Sequence, residues 1–586
     1  MRPVPKGKTM NQMTTTTTPD FSALDRDLHD LAAASEAWAR TSPQERIEVL
    51  KEIKGTLMEV AQGWAQTAAR HKLIPAGSPL EGEEWISGPY AVMGACNGLI
   101  ETLSGMEGKR FLKGLKTRET ASDQLSVQVL PHSIFDRLLL SGVTAEVWME
   151  RGVTKADLPN HTAGAYDVPT GARKGKVALV LGAGNIASIA PLDVFQKAFS
   201  EHQVVILKMN PVNDYLTDYL RAALKPLITR GALRIVKGGA DVGAYLCDHP
   251  AVDEIHITGA EASHDAIVWG VGEEGKANKA AGTPKISKPV TSELGAVCPT
   301  IVVPGPWSRA DLQFQAEHLA TQKLHNSGFN CVACQMLILP RDWTHKQTLL
   351  DNLRGVMGNL QARQAYYPGA EDRMDTFAKQ SDAATSFDRG AAPACVVVPV
   401  GEGDDWFTQN EVFAPALSTH EIGGENPEAY LIEAVRYAND SLHGTLGANI
   451  LIHPATIKRI GKTRFEEIIA DLRYGAIAVN AWTGLAFLST ACPWGAFPGH
   501  TLENVGSGIG FAHNTYMFDR PERVVVSAPW RPYPRNNLSG GFTLLPRPPW
   551  FVTNTRQHVL GRLLTRFEYR PSWLKLPRIF VNALRG

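Results

Sequence analysis

Apolar residues of this chain recur at two different intervals, and each interval predicts a different element. Between Phe21 and Gly108 they return every three or four positions, so that Ile47, Leu50, Ile53, Leu57 and Val60 fall on one side of a helix. Segment 21–108 therefore reads as amphipathic helices that need a partner surface. After Lys176 the pattern changes to short unbroken apolar runs, VALVL, VVILK, LRIVKGG and EIHITG. They are separated by helical stretches such as DYLTDYLRAALKPLITRG, with Leu216, Leu220, Leu224 and Leu227 on one face. Strands alternating with helices of that length predict a parallel sheet with right-handed crossovers. A second alternation begins near Thr291 with PTIVVPG and continues through CQMLILP, ACVVVPV and GANILIHP. The fold class expected is α/β, with two doubly wound α/β domains. Two runs within 125–150, LSVQVLP and AEVWMERG, are expected as paired strands that leave the globule as a small β arm, and GEEGKANKAAGTPK as a polar surface loop.

Composition narrows the function only by exclusion. With 586 residues the chain has room for roughly two to four domains, fewer if one α/β unit is large. Lysine plus arginine and aspartate plus glutamate stand at 59 each, so net charge gives no reason to expect nucleic acid or a membrane as the main partner. Seven scattered cysteines suit reduced thiols and a cytoplasmic location better than a disulfide framework. The opening MRPVPKGKTMNQMTTTTTPD lacks the apolar stretch of a secretory signal and reads as disordered over 1–20. No apolar run reaches the roughly 18 residues that a membrane-spanning helix requires.

Candidate chemistry lies in two short stretches. In VALVLGAGNIAS a strand is followed by Gly182 and Gly184 and then by a helical segment carrying Leu192, Phe195 and Phe199, the context of a dinucleotide-binding turn. The acidic residue that normally ends the second strand of such a fold is missing, because VVILK ends in Lys208. Either the loop binds a nucleotide in another geometry or the glycines serve close packing of strand on helix. In NSGFNCVACQ, Cys331 and Cys334 form a lone CxxC with no further ligands at metal-binding spacing, so no metal site is expected. A redox dithiol and plain buried cysteine both remain open on spacing alone.

Taken in order along the chain, further segments resemble the aldehyde dehydrogenase superfamily. NSGFNC resembles its nucleophile motif, SELGAVCP its E-L-G-G-K segment, NEVFAP its E-E-I-F-G-P segment and HITGA its F-T-G-S segment. RYAND with LHGTLGANIL, and YGAIAVN with CPWGAF, resemble later stretches of the same family. The resemblance runs from about residue 30 to about 530. It implies Cys331 as the catalytic thiol, Glu293 as the general base and Asn185 as the amide that meets the oxyanion. For an NAD or NADP cofactor it implies Lys208 at the adenosine ribose, Gly259 before the helix that holds the phosphates, Glu411 at the nicotinamide ribose and Phe413 beside the ring; Asn480 comes next in family order. On this resemblance, 21–290 holds N-terminal helices and the nucleotide-binding domain, 291–480 the catalytic thiol domain, and 481–530 a return segment with an oligomerisation strand, VVVSAP at 524–529. Residues 531–586 form a basic, aromatic C-terminal extension.

These residue types suit aldehyde oxidation. A carbonyl carbon releases hydride only after it becomes tetrahedral, which a thiolate accomplishes, and each oxyanion donor is worth about 3 kcal/mol. Glu293 would then activate water on the thioester, and the positive nicotinamide ring would favour thiolate at Cys331. Cys334 is expected in packing rather than in a protective disulfide. Three departures from the family pattern bear on specificity. Asn210 and Pro211 stand where a glutamate is expected after Lys208, which leaves NADP as open as NAD. Phe329 replaces a glutamine beside the thiol. CPWGAFPGH, with Trp482 and Phe487, makes an apolar and aromatic substrate entrance from Trp482, Phe487, Trp494 and Phe497.

The extension from Phe551 onward carries seven basic residues against the single acid Glu568. It reads as a lid or an arm on a neighbouring subunit, with peripheral membrane contact as the alternative; Pro571 and Pro577 interrupt any long amphipathic face. The expected partners are a small aldehyde and a second or further copies of the chain as homodimer or tetramer. A CoA-acylating dehydrogenase and a catalytically weakened nucleotide-binding scaffold are the rival readings.

Overall fold

The computed structural model describes residues 20–361, 363–389, 392–401, 404–539 and 541–586; the disorder expected over 1–20 falls almost wholly outside them. The first layer is helical, as the spacing predicts. Helix Ser22–Ala39 is followed by Pro43–His71, which starts at a capping box in which Ser42 and Glu45 satisfy each other's backbone N–H. Leu50, Ile53 and Leu57 on its inner face are fully buried. A helix Glu81–Trp85 runs through a π-helical turn, Ile86–Tyr90, into the helix Ala91–Ser104.

Seventeen strands are found among the described residues. In chain order, β1 (Lys116–Glu119), β2 (Leu125–Leu130), β3 (Thr144–Met149), β4 (Val177–Leu181), β5 (Val204–Lys208), β6 (Leu233–Val236), β7 (Glu254–Gly259), β8 (Val290–Leu294) and β9 (Cys298–Val302) come first. β10 (Cys334–Pro340), β11 (Thr385–Arg389), β12 (Ala392–Pro399), β13 (Ala416–Ile422), β14 (Gly447–Leu451), β15 (Ala476–Val479), β16 (Gly508–Ile509) and β17 (Pro521–Ser527) complete the set. They form two sheets. Six strands in the order β16-β8-β7-β4-β5-β6 make the first, parallel except for β16. Eleven strands make the second, in the order β1-β2-β3-β17-β15-β14-β9-β10-β13-β12-β11, with parallel pairing from β17 through β12. Every residue of β5 and of β10 is buried, as parallel strands covered on both faces must be. This is a two-sheet doubly wound α/β fold.

Two expectations are corrected. The strands within 125–150 do pair, β2 on β3, yet they do not leave the globule. β3 lies antiparallel on β17, and β17 lies parallel on β15 with Val524 opposite Ala476, so the arm extends the chain's own second sheet. The outer edge of that sheet, β1, reads Lys-Thr-Arg-Glu, a charged edge. Next, the stretch expected as a loop after residue 271 is a helix, Gly272–Ala281, because Glu273, Glu274, Lys276 and Lys279 form a solvated helix and not a coil. The C-terminal extension packs on its own chain. Arg531 and Arg535 both reach the buried Asp311; against desolvation, Arg531 and the capping bonds of Ser308 hold its carboxyl well below the ordinary range. The helices Gln557–Tyr569 and Leu576–Ala583 bury Leu560, Leu563, Phe567, Leu576 and Ile579. Leu574, Val581 and Leu584 remain exposed. Among the described residues no helix is long and apolar enough to cross a membrane.

Candidate active site

Four of the expected residues sit at the carboxyl ends of strands of the first sheet, where open α/β sheets bind ligands. Asn185 is in the turn after β4, Lys208 ends β5, Gly259 ends β7, and Glu293 lies near the end of β8. The glycines of GAGN serve packing. A side chain on Gly182 would meet Ala190 and Leu207, and one on Gly184 would meet Asn210 at 2.8 Å, so the turn lies against its neighbours with no room for a phosphate between.

The thiol arrives from the second sheet. Helix Arg309–Leu324 begins at a capping box of Ser308 and Asp311 and breaks at His325–Gly328, where Asn326 and Ser327 hold φ of 53° and 55°. Two successive non-glycine residues in the left-handed region are strained and persist only where the surroundings over-determine them. Asn326 supplies that constraint. Its side-chain amide donates to the Phe329 carbonyl at 3.0 Å, and its Oδ1 accepts from the Tyr366 hydroxyl at 3.0 Å. Its backbone N–H donates to Glu83 Oε2 at 3.1 Å, the same oxygen that Arg363 grips at 2.7 Å. Glu83, Arg363 and the neighbouring Lys72–Glu84 pair at 3.0 Å are all buried. Glu83→Gln leaves Arg363 a buried cation without its counter-charge, so a loss of roughly 3–5 kcal/mol is expected, read as a lowered melting temperature together with lower activity.

Past this turn the three central residues meet. Asn185 Nδ2 donates to the Phe329 carbonyl at 3.0 Å, two residues before Cys331. The Cys331 thiol hydrogen-bonds the Glu293 carboxylate, and burial together with that carboxylate pushes the thiol well above its ordinary range. Glu293 is itself buried. Desolvation and the nearby Asp193 raise its carboxyl to about 7, against the lowering effect of its bonds to Cys331 and to Trp494, whose Nε1 donates at 3.3 Å. The protein's own groups thus hold the thiol protonated, and the thiolate expected at Cys331 depends on the positive nicotinamide ring.

Glu411 lies beside this pair. It packs so closely on Gly295 that an added Cβ there would meet its Oε2 at 1.9 Å. Burial raises its carboxyl to about 8, against the buried Lys323, whose own amine burial lowers to about 8. Phe413, at φ 43°, joins Phe329 and Tyr367 in an aromatic cluster with centroids 5.9 and 5.0 Å away. Lys208 is nearly buried and its ammonium group makes no hydrogen bond among the described residues, which suits a cation that awaits a ligand hydroxyl. Asp241 is the charge that acts on it most. At Gly259 the following helix, Glu261–Val268, starts with an acid that pairs with Lys279 at 3.6 Å and His443 at 3.4 Å. An anion bound at this helix start would displace those contacts.

Other residues fall elsewhere. Cys334 is buried against Thr300, and no disulfide joins it to Cys331. Asn480 bonds both backbone groups of Ile452, a structural role. Of the four aromatics expected at the entrance, Phe487 and Trp494 pack on each other at 5.4 Å, but Trp482 packs at a tilt on His325 and Phe497 lies under Arg523. Sequence reasoning missed Glu83, Arg363 and Lys323. The acid pair Glu83-Glu84 ahead of the apolar run WISGPYAVMGAC was the available signal.

A model of the aldehyde dehydrogenase family matches residues 203–495, half of the chain, and the chain belongs to this family, whose members are oxidoreductases acting on aldehydes. Solved structures agree on the fold. An NAD-dependent aldehyde dehydrogenase from Sinorhizobium meliloti is similar at a TM-score of 0.56 and 18% identity, over 86% of each chain. The aldehyde dehydrogenase KauB from Pseudomonas aeruginosa is similar at 0.59 and 18%, over 86% of this chain and 88% of that one. Aldehyde dehydrogenase C from Pseudomonas syringae, as a mutant in complex with NAD+ and octanal, is similar at 0.58 and 17%, over 87% and 90%.

Proposed function

We propose that this protein oxidises an aldehyde to the carboxylic acid with NAD or NADP, through a thiohemiacetal and then a thioester on Cys331. The observation that carries the reading is the direct contact of the Cys331 thiol with the Glu293 carboxylate, which has its acid dissociation tuned to about 7. Glu293 takes the thiol proton as sulfur adds to the carbonyl carbon. The Asn185 amide and the Cys331 backbone N–H stabilise the oxyanion, the amide holding the Phe329 carbonyl with one N–H and offering its second to that oxygen. A bound nicotinamide dinucleotide would supply the hydride acceptor, held by Lys208 at one ribose and Glu411 at the other, with Phe413 beside the ring and the phosphates near Gly259. Once the thioester has formed and Glu293 has passed the thiol proton to solvent, Glu293 draws a proton from water as the hydroxide adds to the thioester carbon, and the C–S bond breaks to release the acid and return the Cys331 sulfur.

A base touching the sulfur favours hydrolysis over release to CoA. The complete set of thiol, amide and carboxylate likewise speaks for an enzyme over a weakened scaffold. Aldehydes of graded length incubated with NAD or NADP, with and without CoA, test the reading: reduced nicotinamide and free acid are expected in equal amounts, independent of CoA. A CoA requirement would overturn it.

Cofactor choice has its own test. Asn210 turns inward, its Oδ1 accepting from the Val212 N–H at 3.0 Å, and Asp241, the charge that acts most on Lys208, is the carboxylate to test in place of the one missing after β5. Asp241→Ala is expected to raise kcat/KM for NADP relative to NAD by about tenfold, the effect of about 1.4 kcal/mol of removed repulsion. An unchanged ratio removes Asp241 from the site.

A further inference from the structure

A cavity of about 400 Å³ lies outside the thiol site, between the helix Ala91–Ser104, the short helix Thr483–Leu488 and the C-terminal helix pair. Its walls are mostly apolar, among them Tyr90, Leu485, Leu488, Leu564, Ile579 and Phe580. Three carboxyl groups break the apolar lining: Glu101, paired with His132; Asp136, which takes the His132 and Ser133 backbone N–H groups; and Glu568, the one contributed by the C-terminal helix pair. Glu568, from the helix Gln557–Tyr569, accepts a bond from Asn97 Nδ2 at 2.8 Å, and Asn97 in turn accepts from Lys54 Nζ at 2.6 Å. Burial pushes the Glu568 carboxyl up to about 7. A carboxyl group in apolar surroundings costs stability unless it has a partner, and an apolar pocket with a few convergent polar groups is the usual form of a small-molecule site.

The cavity also borders the reacting centre through two of its walls. The π-helical turn Ile86–Tyr90 rests on the Asn185 turn, where the Ser188 N–H donates to the Ser87 carbonyl at 3.1 Å. On the other side, helix Thr483–Leu488 turns Leu485 and Leu488 to the cavity, while its Phe487 meets Trp494, the donor to Glu293. At about 30 Å³ for each water-sized group, the volume accepts on the order of a dozen non-hydrogen atoms.

We propose that this cavity holds the body of the substrate, an aldehyde with an apolar frame and a hydroxyl group at its far end, that the C-terminal helix pair is its wall and lid, and that Glu568 takes the hydroxyl. The proposal rests on the aldehyde-oxidising reading above. A hydroxyl loses less hydration than an ammonium group on entering a mostly apolar cavity, and the Glu568 carboxyl, which takes one bond from Asn97, can accept another.

Two variants and two measurements test it. Glu568→Leu removes the polar group from an apolar wall, and Leu564→Trp fills the space. In wild type, kcat/KM for 10-hydroxydecanal should exceed that for decanal. Glu568→Leu should lower the 10-hydroxydecanal to decanal ratio by about tenfold, and Leu564→Trp should lower the ratio of both to propanal by about tenfold. Calorimetric titration of the full-length protein with 1,10-decanediol, in a Cys331→Ala background, reads the cavity without catalysis: binding should weaken about tenfold in each variant. Propanal oxidised with wild-type ratios in both variants, and diol binding unmoved, would overturn the cavity assignment and leave the catalytic reading standing. Diol binding weakened as expected while no aldehyde is turned over would support the cavity and sink the catalytic reading.

Discussion

Cys331→Ala should remove aldehyde-dependent reduction of nicotinamide, with kcat down on the order of 10³-fold or more, while the protein stays folded. No other thiol can stand in. Cys298 is buried and spends its S–H on the Cys331 carbonyl at 3.3 Å, and Cys334 is buried against Thr300. Burial holds both thiols protonated. The substitution removes one small atom group at a partly exposed position, and Glu293 keeps its bond from Trp494, so melting should change little. Turnover is followed by the absorbance of the reduced cofactor, with the melting curve as the control for folding. Wild-type turnover in the alanine variant would mean that the chemistry does not pass through this sulfur.

Glu293→Gln should separate the two halves of the reaction. Steady-state kcat is expected to fall by about 10²–10⁴-fold, the usual worth of a positioned base, because glutamine cannot take a proton from water. The amplitude of a rapid burst of reduced nicotinamide should persist at about one per site, since hydride leaves before hydrolysis; its rate should drop, because the thiol loses its proton acceptor. pH supplies an independent reading. With its carboxyl raised to about 7, Glu293 is a base only above that pH, so wild-type kcat rises as pH increases through about 7. In the glutamine variant that limb should be gone. Rapid-mixing traces across the pH range check both points, and an unchanged limb near 7 would reassign the titrating group.

Several elements were legible in the sequence because they depend on neighbours close along the chain. The period of Ile47, Leu50, Ile53 and Leu57 names a helix, and the unbroken runs VVILK and CQMLILP name strands covered on both faces. Other features depend on partners far apart in sequence. Whether 125–150 leaves the globule turns on β3 pairing with β17, which sets Val147 opposite Val524, a closure across most of the chain. The strained turn before the thiol is held by Glu83, 243 residues away from Asn326, and no local pattern announces that contact. Equally, the helix Gly272–Ala281 was hidden by its lack of an apolar face, since no burial marks it out.

By itself, the sequence determined the α/β alternation, the membership suggested by its ordered motifs, and the residue types from which a thiol, an amide and an acid could be drawn, because short-range periodicity and covalent chemistry are written residue by residue. Tertiary structure alone decided that the Cys331 thiol rests protonated on Glu293, that the β arm closes its own sheet, and that the C-terminal helices wall an apolar cavity around Glu568. Those outcomes arise from desolvation and from contacts between distant segments, and both are properties of the packed chain, absent from any stretch of it read alone.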